Sequence, residues 1–83
     1  MFYVYILRSE SRSDQTYTGF TADLKKRLQQ HNAGRSIHTH KYAPWKLETY
    51  VAFDSRERAE SFESYLKSGS GRAFAARHLL RSR

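Results

Sequence analysis

The chain has 83 residues, which leaves room for a single domain with a small core, and we predict one domain over residues 1–83. The absence of cysteine excludes a disulfide framework and a thiolate metal site, and it is compatible with the reducing cytosol. Fifteen Lys and Arg against eight Asp and Glu give a net charge of +7, which favours a polyanionic partner, most commonly nucleic acid, over a membrane surface.

The first predicted element is a buried β-strand over residues 2–9, FYVYILRS. Its residues are almost all apolar, aromatic or β-branched, as in a strand that is covered on both faces. The two-residue period of a strand places Tyr3, Tyr5 and Leu7 on one face and the residues between them on the other. This longest apolar run is far shorter than the roughly 20 residues of a membrane span. We therefore expect a soluble cytoplasmic protein without a signal peptide.

A second strand is predicted after a polar turn. The turn comprises residues 10–15 (ESRSDQ) and the strand comprises residues 16–20 (TYTGF), so a β-hairpin is the natural connection. Gly19 lies inside this strand, and a glycine at such a position often marks the close approach of another backbone or a ligand. We therefore place Gly19 among the expected nucleic-acid-binding residues.

The stretch LKKRLQQHN over residues 24–32 predicts the first helix, with one irregularity. Leu24 and Leu28 define its buried stripe on a 3.6-residue period. Arg27 and His31 fall on or beside the same stripe, although the helix turns its lysines outward. A polar pair that faces the rest of the molecule favours a functional role. The alternative is an arginine whose stem covers apolar surface and a histidine that is stabilised by the helix C-terminus.

A basic loop and a third strand follow. Residues 34–44 (GRSIHTHKYAP) form the loop, and we expect its Arg35 and Lys41 to contact phosphate groups. The two loop histidines do not supply the ligand set of a structural zinc site, so a zinc interpretation is not favoured. Residues 45–53 (WKLETYVAF) alternate well enough to predict the third strand.

Two helices complete the predicted order. Asp54 is the expected N-cap of a second helix that runs through about Lys67, and Thr21 is the expected N-cap of the first helix. SGSG at residues 68–71 predicts a break, after which residues 72–80 form a short terminal helix. The order ββαβαα predicts an α+β domain, with a small three-stranded, mainly antiparallel sheet flanked by helices.

Polar side chains from four predicted elements are expected to meet at the border of the core. Glu63 lies at the edge of the buried face of the second helix, where it could also pair with Lys67 one turn later. The complete set is Tyr5, Tyr17, Arg27, His31 and Glu63. Such a set in a strongly cationic protein is typical of a phosphodiester-cleaving site.

These residues occur in the order and spacing of the GIY-YIG nuclease superfamily, which the chain resembles over most of its length. Tyr3-Val4-Tyr5 and Tyr17-Thr18-Gly19 correspond to the two segments that give the family its name, and Arg27, His31 and Glu63 follow. The first segment has Tyr for the family's Gly and the second has Thr for its Ile, whereas the two tyrosines regarded as catalytic are kept. The short stand-alone bacterial members, related to the N-terminal domain of the C component of the ABC excinuclease, are the most similar.

The resemblance implies a divalent-metal-dependent endonuclease that hydrolyses DNA phosphodiester bonds, in DNA repair or recombination, with Mg²⁺ or Mn²⁺ and no organic cofactor. Glu63 would be the only protein ligand of the ion, which is chemically acceptable for Mg²⁺. Arg27 would hold the phosphate and the charge that grows on it in the transition state. Tyr5 would take the proton from water, and Tyr17 and His31 would position or activate it. The division of labour among these three residues stays open.

Two other interpretations are kept. The chain could be a non-catalytic nucleic-acid-binding module, because many family members carry an Asn downstream of the glutamate and none follows Glu63 here. A structural or interaction protein would have to keep the five polar residues by coincidence. The expected partner is DNA, and branched, nicked and otherwise structured forms are all left open. The expected nucleic-acid contacts are Gly19, Lys26, Arg35, Lys41 and Arg72.

Overall fold

The computed structural model describes residues 1–81, and the last two residues of the predicted domain lie outside the described residues. The elements are β1 (Phe2–Ser9), β2 (Thr16–Thr21), α1 (Leu24–Asn32), a short 3-10 turn (His40–Tyr42), β3 (Trp45–Phe53), α2 (Arg56–Leu66) and α3 (Gly69–His78). The predicted α+β class and the order ββαβαα are confirmed. Within residues 1–81, no helix combines the length and the apolar character that crossing a membrane requires.

Strand β1 is the centre of a three-stranded antiparallel sheet with the order β2-β1-β3. The register places Tyr5 opposite Gly19 of β2 and opposite Tyr50 of β3. The register of the pairing between β1 and β3 shifts by one residue between Ile6, which pairs with Thr49, and Leu7, which pairs with Leu47. Because β2 has a neighbour on one side only, its far edge stays open to the side chains of the helices.

The two faces of β1 build two separate core clusters, as the strand's sequence predicts. Val4 and Ile6 pack against apolar side chains of α2 and α3. Tyr5 and Leu7 pack on the opposite face with Trp45 and against the two leucines of α1. All four of these β1 residues are at most 3% exposed. Helix α1 therefore covers one face of the sheet, and α2 with α3 covers the other.

The N-caps of the first two helices differ from the prediction. Helix α1 is capped by Asp23, whose Oδ1 accepts a hydrogen bond at 3.1 Å from the third amide of the helix, and the predicted cap Thr21 instead ends β2. Helix α2 is capped by Ser55, whose Oγ accepts the equivalent bond at 3.3 Å, and not by Asp54. In both places two capping residues lie close together, and the extended backbone of the second one decides where the helix begins.

The predicted break at residues 68–71 is wrong in extent. Ser68 is the N-cap of α3, because its Oγ accepts from the amide of Gly71 at 3.2 Å, and the two glycines lie in the first turn of the helix. A Cβ added to Gly71 would overlap the carbonyl oxygen of Tyr65. The glycine therefore allows the backbones of α2 and α3 to touch, and the chain turns within two residues instead of four.

Candidate active site

Tyr5 is the centre of a buried hydrogen-bonded cluster. Its hydroxyl oxygen lies 2.9 Å from Nε2 of His31 and accepts a hydrogen bond from Nε of Arg27 at 3.4 Å. Arg27 and His31 lie one turn apart on α1, on the side that the two leucines dock against the sheet. His31 is 0% exposed, although it is a polar residue. The inward direction that the helix pattern predicts for this pair is the one observed.

Tyr17 and Gly19 of β2 form one wall of the cluster. The ring of Tyr17 lies 5.1 Å from the ring of His31 and 6.4 Å from the ring of Tyr5, between centroids. A Cβ added to Gly19 would lie 2.5 Å from the Tyr5 hydroxyl oxygen. The glycine therefore leaves space for the phenol of Tyr5, and its contact with nucleic acid stays a prediction.

Glu63 approaches the cluster from α2. Its Oε2 lies 3.2 Å from Nζ of Lys67, and its side chain is 21% exposed. The same Lys67 Nζ lies 6.0 Å from the centroid of the Tyr17 ring. The ion pair that the helical spacing allowed is therefore present, and it lies beside Tyr17 instead of on a distant surface.

Burial and charge control the protonation of Tyr5 and His31. Burial raises the pKa of Tyr5 above its ordinary value, the hydrogen bond and the charge of Arg27 oppose this rise, and the charges of Tyr17 and Glu63 add to it. Burial and then the positive charge of Arg27 lower the pKa of His31. At neutral pH, Tyr5 is therefore a protonated phenol and His31 is a neutral imidazole in the free protein.

Thr39 completes the cluster, and no sequence pattern identifies it. Its Oγ1 lies 2.7 Å from Nδ1 of His31, and its carbonyl oxygen accepts a hydrogen bond from Nε1 of Trp45 at 2.8 Å. Thr39 belongs to a polar loop without periodicity, so only the path of that loop brings it to the ring. The single available signal is its position inside a basic, histidine-containing segment.

Two of the expected phosphate-binding residues lie beside the exposed side of α1. Arg35 lines a small depression of about 260 Å³ together with Arg27 and Gln30. Lys26 lines a second depression of about 270 Å³, which Arg35 also borders. The positive charge of Arg27 is thus extended along the surface by its neighbours.

The remaining expected phosphate-binding residues lie elsewhere. Arg72 lines a groove of about 500 Å³ whose wall includes Tyr17 and Lys67, between β2 and the junction of α2 with α3. Lys41 instead lies with its Nζ 5.6 Å from the centroid of the Tyr42 ring. The structure therefore brings Arg72 next to a candidate catalytic residue and shows no such contact for Lys41.

Glu63 supplies the carboxylate that a divalent cation would require. Within residues 1–81, no group of three or more His, Asp and Glu side chains is arranged to hold a metal ion. A single, partly exposed carboxylate fits Mg²⁺, which keeps several of its water ligands and needs few from the protein. Lys67 holds Oε2 of this carboxylate and would share it with the ion.

Comparisons with known proteins show which proteins the chain is similar to. The GIY-YIG catalytic domain family matches residues 1–75. UPF0213 proteins of Streptococcus pyogenes serotype M5 (strain Manfredo) and serotype M3 (strain SSI-1) are each 42% identical over 72 residues, which is 86% of this chain and 76% of the relative. The solution NMR structure of the UPF0213 protein BH0048 from Bacillus halodurans has 31% sequence identity and a TM-score of 0.55, and the match covers 93% of this chain and 84% of that chain.

Proposed function

The chain belongs to the GIY-YIG catalytic domain family, which is a family of nucleases, and on that premise we propose that it is a divalent-metal-dependent endonuclease that hydrolyses DNA phosphodiester bonds. The family resemblance that the sequence motifs indicate is thereby confirmed. The observation that carries the proposal is the contact of the Tyr5 hydroxyl with both Arg27 and His31. A nuclease needs a phosphate-binding cation beside a group that can take a proton, and this contact joins the two.

Arg27 is proposed to bind the scissile phosphate. Its Nε donates to Tyr5, and its Nη1 donates to Oε1 of Gln30 at 3.2 Å. These two bonds fix the plane of the guanidinium, Tyr17 interacts with it as well, and the remaining N–H groups would donate to phosphate oxygens. Because Arg35 borders the same depression, a phosphate there would meet two positive charges. The fixed guanidinium would stabilise the negative charge that grows on the phosphate in the transition state.

Tyr5 is proposed to accept the proton of the attacking water, with Tyr17 orienting the water. The proton would pass from the water oxygen to the Tyr5 oxygen, so Tyr5 must first lose its own proton, and the neutral His31 ring, whose Nε2 lies 2.9 Å from the Tyr5 oxygen, could accept it. Burial opposes that ionisation, and the hydrogen bond from Arg27 favours it. Glu63 would hold the divalent cation, whose chemistry is to polarise the phosphate when it is bound. Tyr17 is the less buried of the two tyrosines, and it lines the groove.

DNA is the proposed substrate, and the context is DNA repair or recombination, because the chain resembles the nuclease domain of an excinuclease component. The net charge of +7 attracts a polyanion at long range. Lys67 and Arg72 line the groove next to Tyr17, and Lys26 and Arg35 lie on the side of Arg27. A DNA backbone that crosses the cluster would therefore meet cations in each neighbouring depression.

The test is incubation of the purified protein with duplex, nicked, branched and single-stranded DNA, in Mg²⁺, in Mn²⁺ and in chelator. The variant is Glu63→Gln, and the matched control is Glu60→Gln, because Glu60 is an exposed carboxylate of the same helix that faces Arg56 at 3.8 Å. We expect cleavage only with a divalent ion, by the wild type and by Glu60→Gln. Cleavage in chelator, or a Glu63→Gln variant as active as the wild type, would remove the assigned site.

A non-catalytic DNA-binding module is the second candidate. The pairing of Glu63 with Lys67 favours it, because a carboxylate that already has a cationic partner binds a metal ion less strongly. The absence of an Asn after Glu63 favours it as well. Binding of DNA without cleavage of any of the four substrates in either metal would establish this second function.

A further inference from the structure

The groove between β2 and the junction of α2 with α3 has a buried apolar floor. Its volume is about 500 Å³, which is the size of many sites for small organic molecules. The floor is formed by Ile6, Leu66 and Ala75, which are 3%, 4% and 6% exposed, and Leu80 lies beside them. A phosphate group alone would not suit this floor, because apolar side chains cannot replace the water that solvates its oxygens.

The rim of the groove is polar and carries positive charge. Lys67, whose side chain is 52% exposed, and the exposed Arg72 line it. Asp14 is the acidic residue of the lining within residues 1–81, and its Oδ2 lies 3.2 Å from Nη2 of Arg12. The rim can therefore attract a phosphate group, whereas the floor requires a ligand with an apolar surface.

The open edge of β2 brings hydrogen-bonding groups to the same groove. Strand β2 has a neighbour on one side only. In an antiparallel pair, every second residue directs its N–H and C=O groups away from the partner strand, so the free edge offers both donors and acceptors. The hydroxyl-bearing side chains of Thr16 and Thr18 also line the groove. The groove thus combines an apolar floor, a polar edge and a cationic rim.

This combination fits one nucleotide of DNA whose base is unpaired. A base has flat faces of low polarity and an edge of donors and acceptors, and the phosphate beside it is an anion. A base inside a duplex hides its faces in the stack and its edge in the pair. Taking it out costs free energy, and this cost is least where the base is already unpaired. The groove therefore favours a nucleotide that is outside a duplex before it binds.

Tyr17 makes the groove continuous with the candidate active site. It lines the groove, and its ring centroid lies 5.1 Å from that of His31. Lys67 on the rim has its Nζ 3.2 Å from Oε2 of Glu63. A nucleotide in the groove would therefore lie directly beside a phosphate bound in the cluster.

We propose that the groove binds the base of an unpaired nucleotide next to the scissile phosphate, so that the substrate class is DNA with an unpaired nucleotide and not an intact duplex. The proposal rests on the proposed nuclease function and narrows its substrate, whose form the sequence leaves open. Lys67 and Arg72 bind the phosphate of the same nucleotide. Because every base has a face of low polarity, the groove selects an unpaired structure and not one particular base.

The test is equilibrium binding of the purified protein in chelator to three DNA hairpins. The first hairpin has one unpaired adenine, the second has an abasic residue at the same place, and the third is fully paired. We expect the first to bind at least about fivefold more tightly than the second, which is the low end of what one stacked base contributes, and more tightly than the third. The first two carry the same number of phosphates, so the ratio of their affinities should stay constant as salt lowers both.

Thr18→Phe fills the groove without changing its charge, and Thr49→Phe is the matched control. Thr18 and Thr49 pair with Ile6 from opposite sides of β1, both are half-buried, and only Thr18 belongs to the lining of the groove within residues 1–81. We expect Thr18→Phe to reduce the ratio of the affinities for the adenine and abasic hairpins to about one. Thr49→Phe is expected to keep the ratio of the wild type.

Methyl NMR of the wild type locates the base even if Thr18→Phe does not fold. The ring current of a base in the groove should shift the methyl signals of Ile6 and Leu80, and the abasic hairpin should not produce these shifts. The methyl signals of Leu24 and Leu28, which lie on the opposite face of the sheet, should stay nearly unchanged.

Equal affinity of the wild type for the adenine and abasic hairpins would overturn the proposal, because the groove would then contact phosphates only. Loss of the preference in both phenylalanine variants would overturn it as well. Self-association that Thr18→Phe abolishes, without any preference for the base, would assign the groove to a second copy of the chain. A protein with the expected preference that cuts no DNA would contradict the nuclease function alone, and one that cuts DNA without the preference would contradict the base site alone.

Discussion

Replacing Gly19 by alanine tests whether the space around the Tyr5 hydroxyl is essential. The added Cβ would lie 2.5 Å from the Tyr5 hydroxyl oxygen, 2.7 Å from its Cζ and 3.0 Å from Cε2 of Tyr17. The first distance is roughly 1 Å shorter than a van der Waals contact. Tyr5 is 1% exposed, so its ring cannot move into solvent, and its displacement must disturb the 2.9 Å contact with His31.

The expected magnitudes follow from this geometry. Overpacking of a buried site destabilises a protein by about 1–3 kcal/mol, so the free energy of unfolding of Gly19→Ala should fall by that amount in urea titration. A displacement of about 1 Å in a catalytic group lowers the rate by about 10²-fold, and we expect a loss of that size in the rate of DNA cleavage. The loss of activity should exceed what the unfolded fraction accounts for.

Gly69→Ala is the matched control for this experiment. No atom outside the local helix lies within 4 Å of the Cβ that this substitution would add, and Gly69 lies in the first turn of α3. Alanine is a better helix former than glycine, so the free energy of unfolding should stay the same or rise by up to about 1 kcal/mol. A Gly19→Ala variant that is as stable as the wild type within about 0.5 kcal/mol, and as active, would refute the steric argument.

Two further predictions concern stability and DNA binding. Glu48→Gln should lower the free energy of unfolding by about 3–5 kcal/mol in urea titration, because it removes the negative charge that compensates a buried arginine. Glu48 and Arg8 form a bidentate ion pair at 2.6 and 2.9 Å, with side chains 3% and 12% exposed. Arg8, and then the amide of Arg81, lower the pKa of Glu48. The stabilisation should therefore be complete at neutral pH and be lost as the pH falls through the lowered pKa of the folded protein. A free energy of unfolding that does not change with pH across the acid range would contradict this prediction. Arg72→Ala should weaken DNA binding and reduce the slope of log affinity against log salt by about 1. Arg77 lies on the same helix and lines a different depression, so Arg77→Ala should leave the affinity and the slope nearly unchanged. Equal effects of the two substitutions would exclude the groove as the DNA contact.

The parts of the structure that follow from local patterns could be predicted from the sequence. The unbroken apolar run of β1 predicts a strand covered on both faces, and the two core clusters lie on those faces. The helical period places Arg27 and His31 toward the sheet, which is where they contact Tyr5. These features depend on residues that are neighbours within a single element.

The parts that depend on the path of a loop or on distant pairs could not be predicted. Thr39 contacts His31 because the loop after α1 folds back on the helix, and no periodicity marks that residue. The pair of Arg8 and Glu48 joins β1 to β3 beside the register shift, and a register shift has no signature in either strand alone. The backbone contact at Gly71 likewise depends on how closely α3 packs against α2.

The open edge of β2 explains how side chains from opposite faces of the sheet reach one site. Tyr17 belongs to the cluster on the α1 face, where its ring lies 5.1 Å from that of His31. Lys67 follows α2, which covers the other face, and its Nζ lies 6.0 Å from the same Tyr17 ring. A central strand would separate these two helices, because its neighbours would block the way around it. An edge strand that carries Tyr17 and a glycine beside Tyr5 removes that barrier, so a chain of 83 residues can bring an arginine and a carboxylate to the same pair of tyrosines.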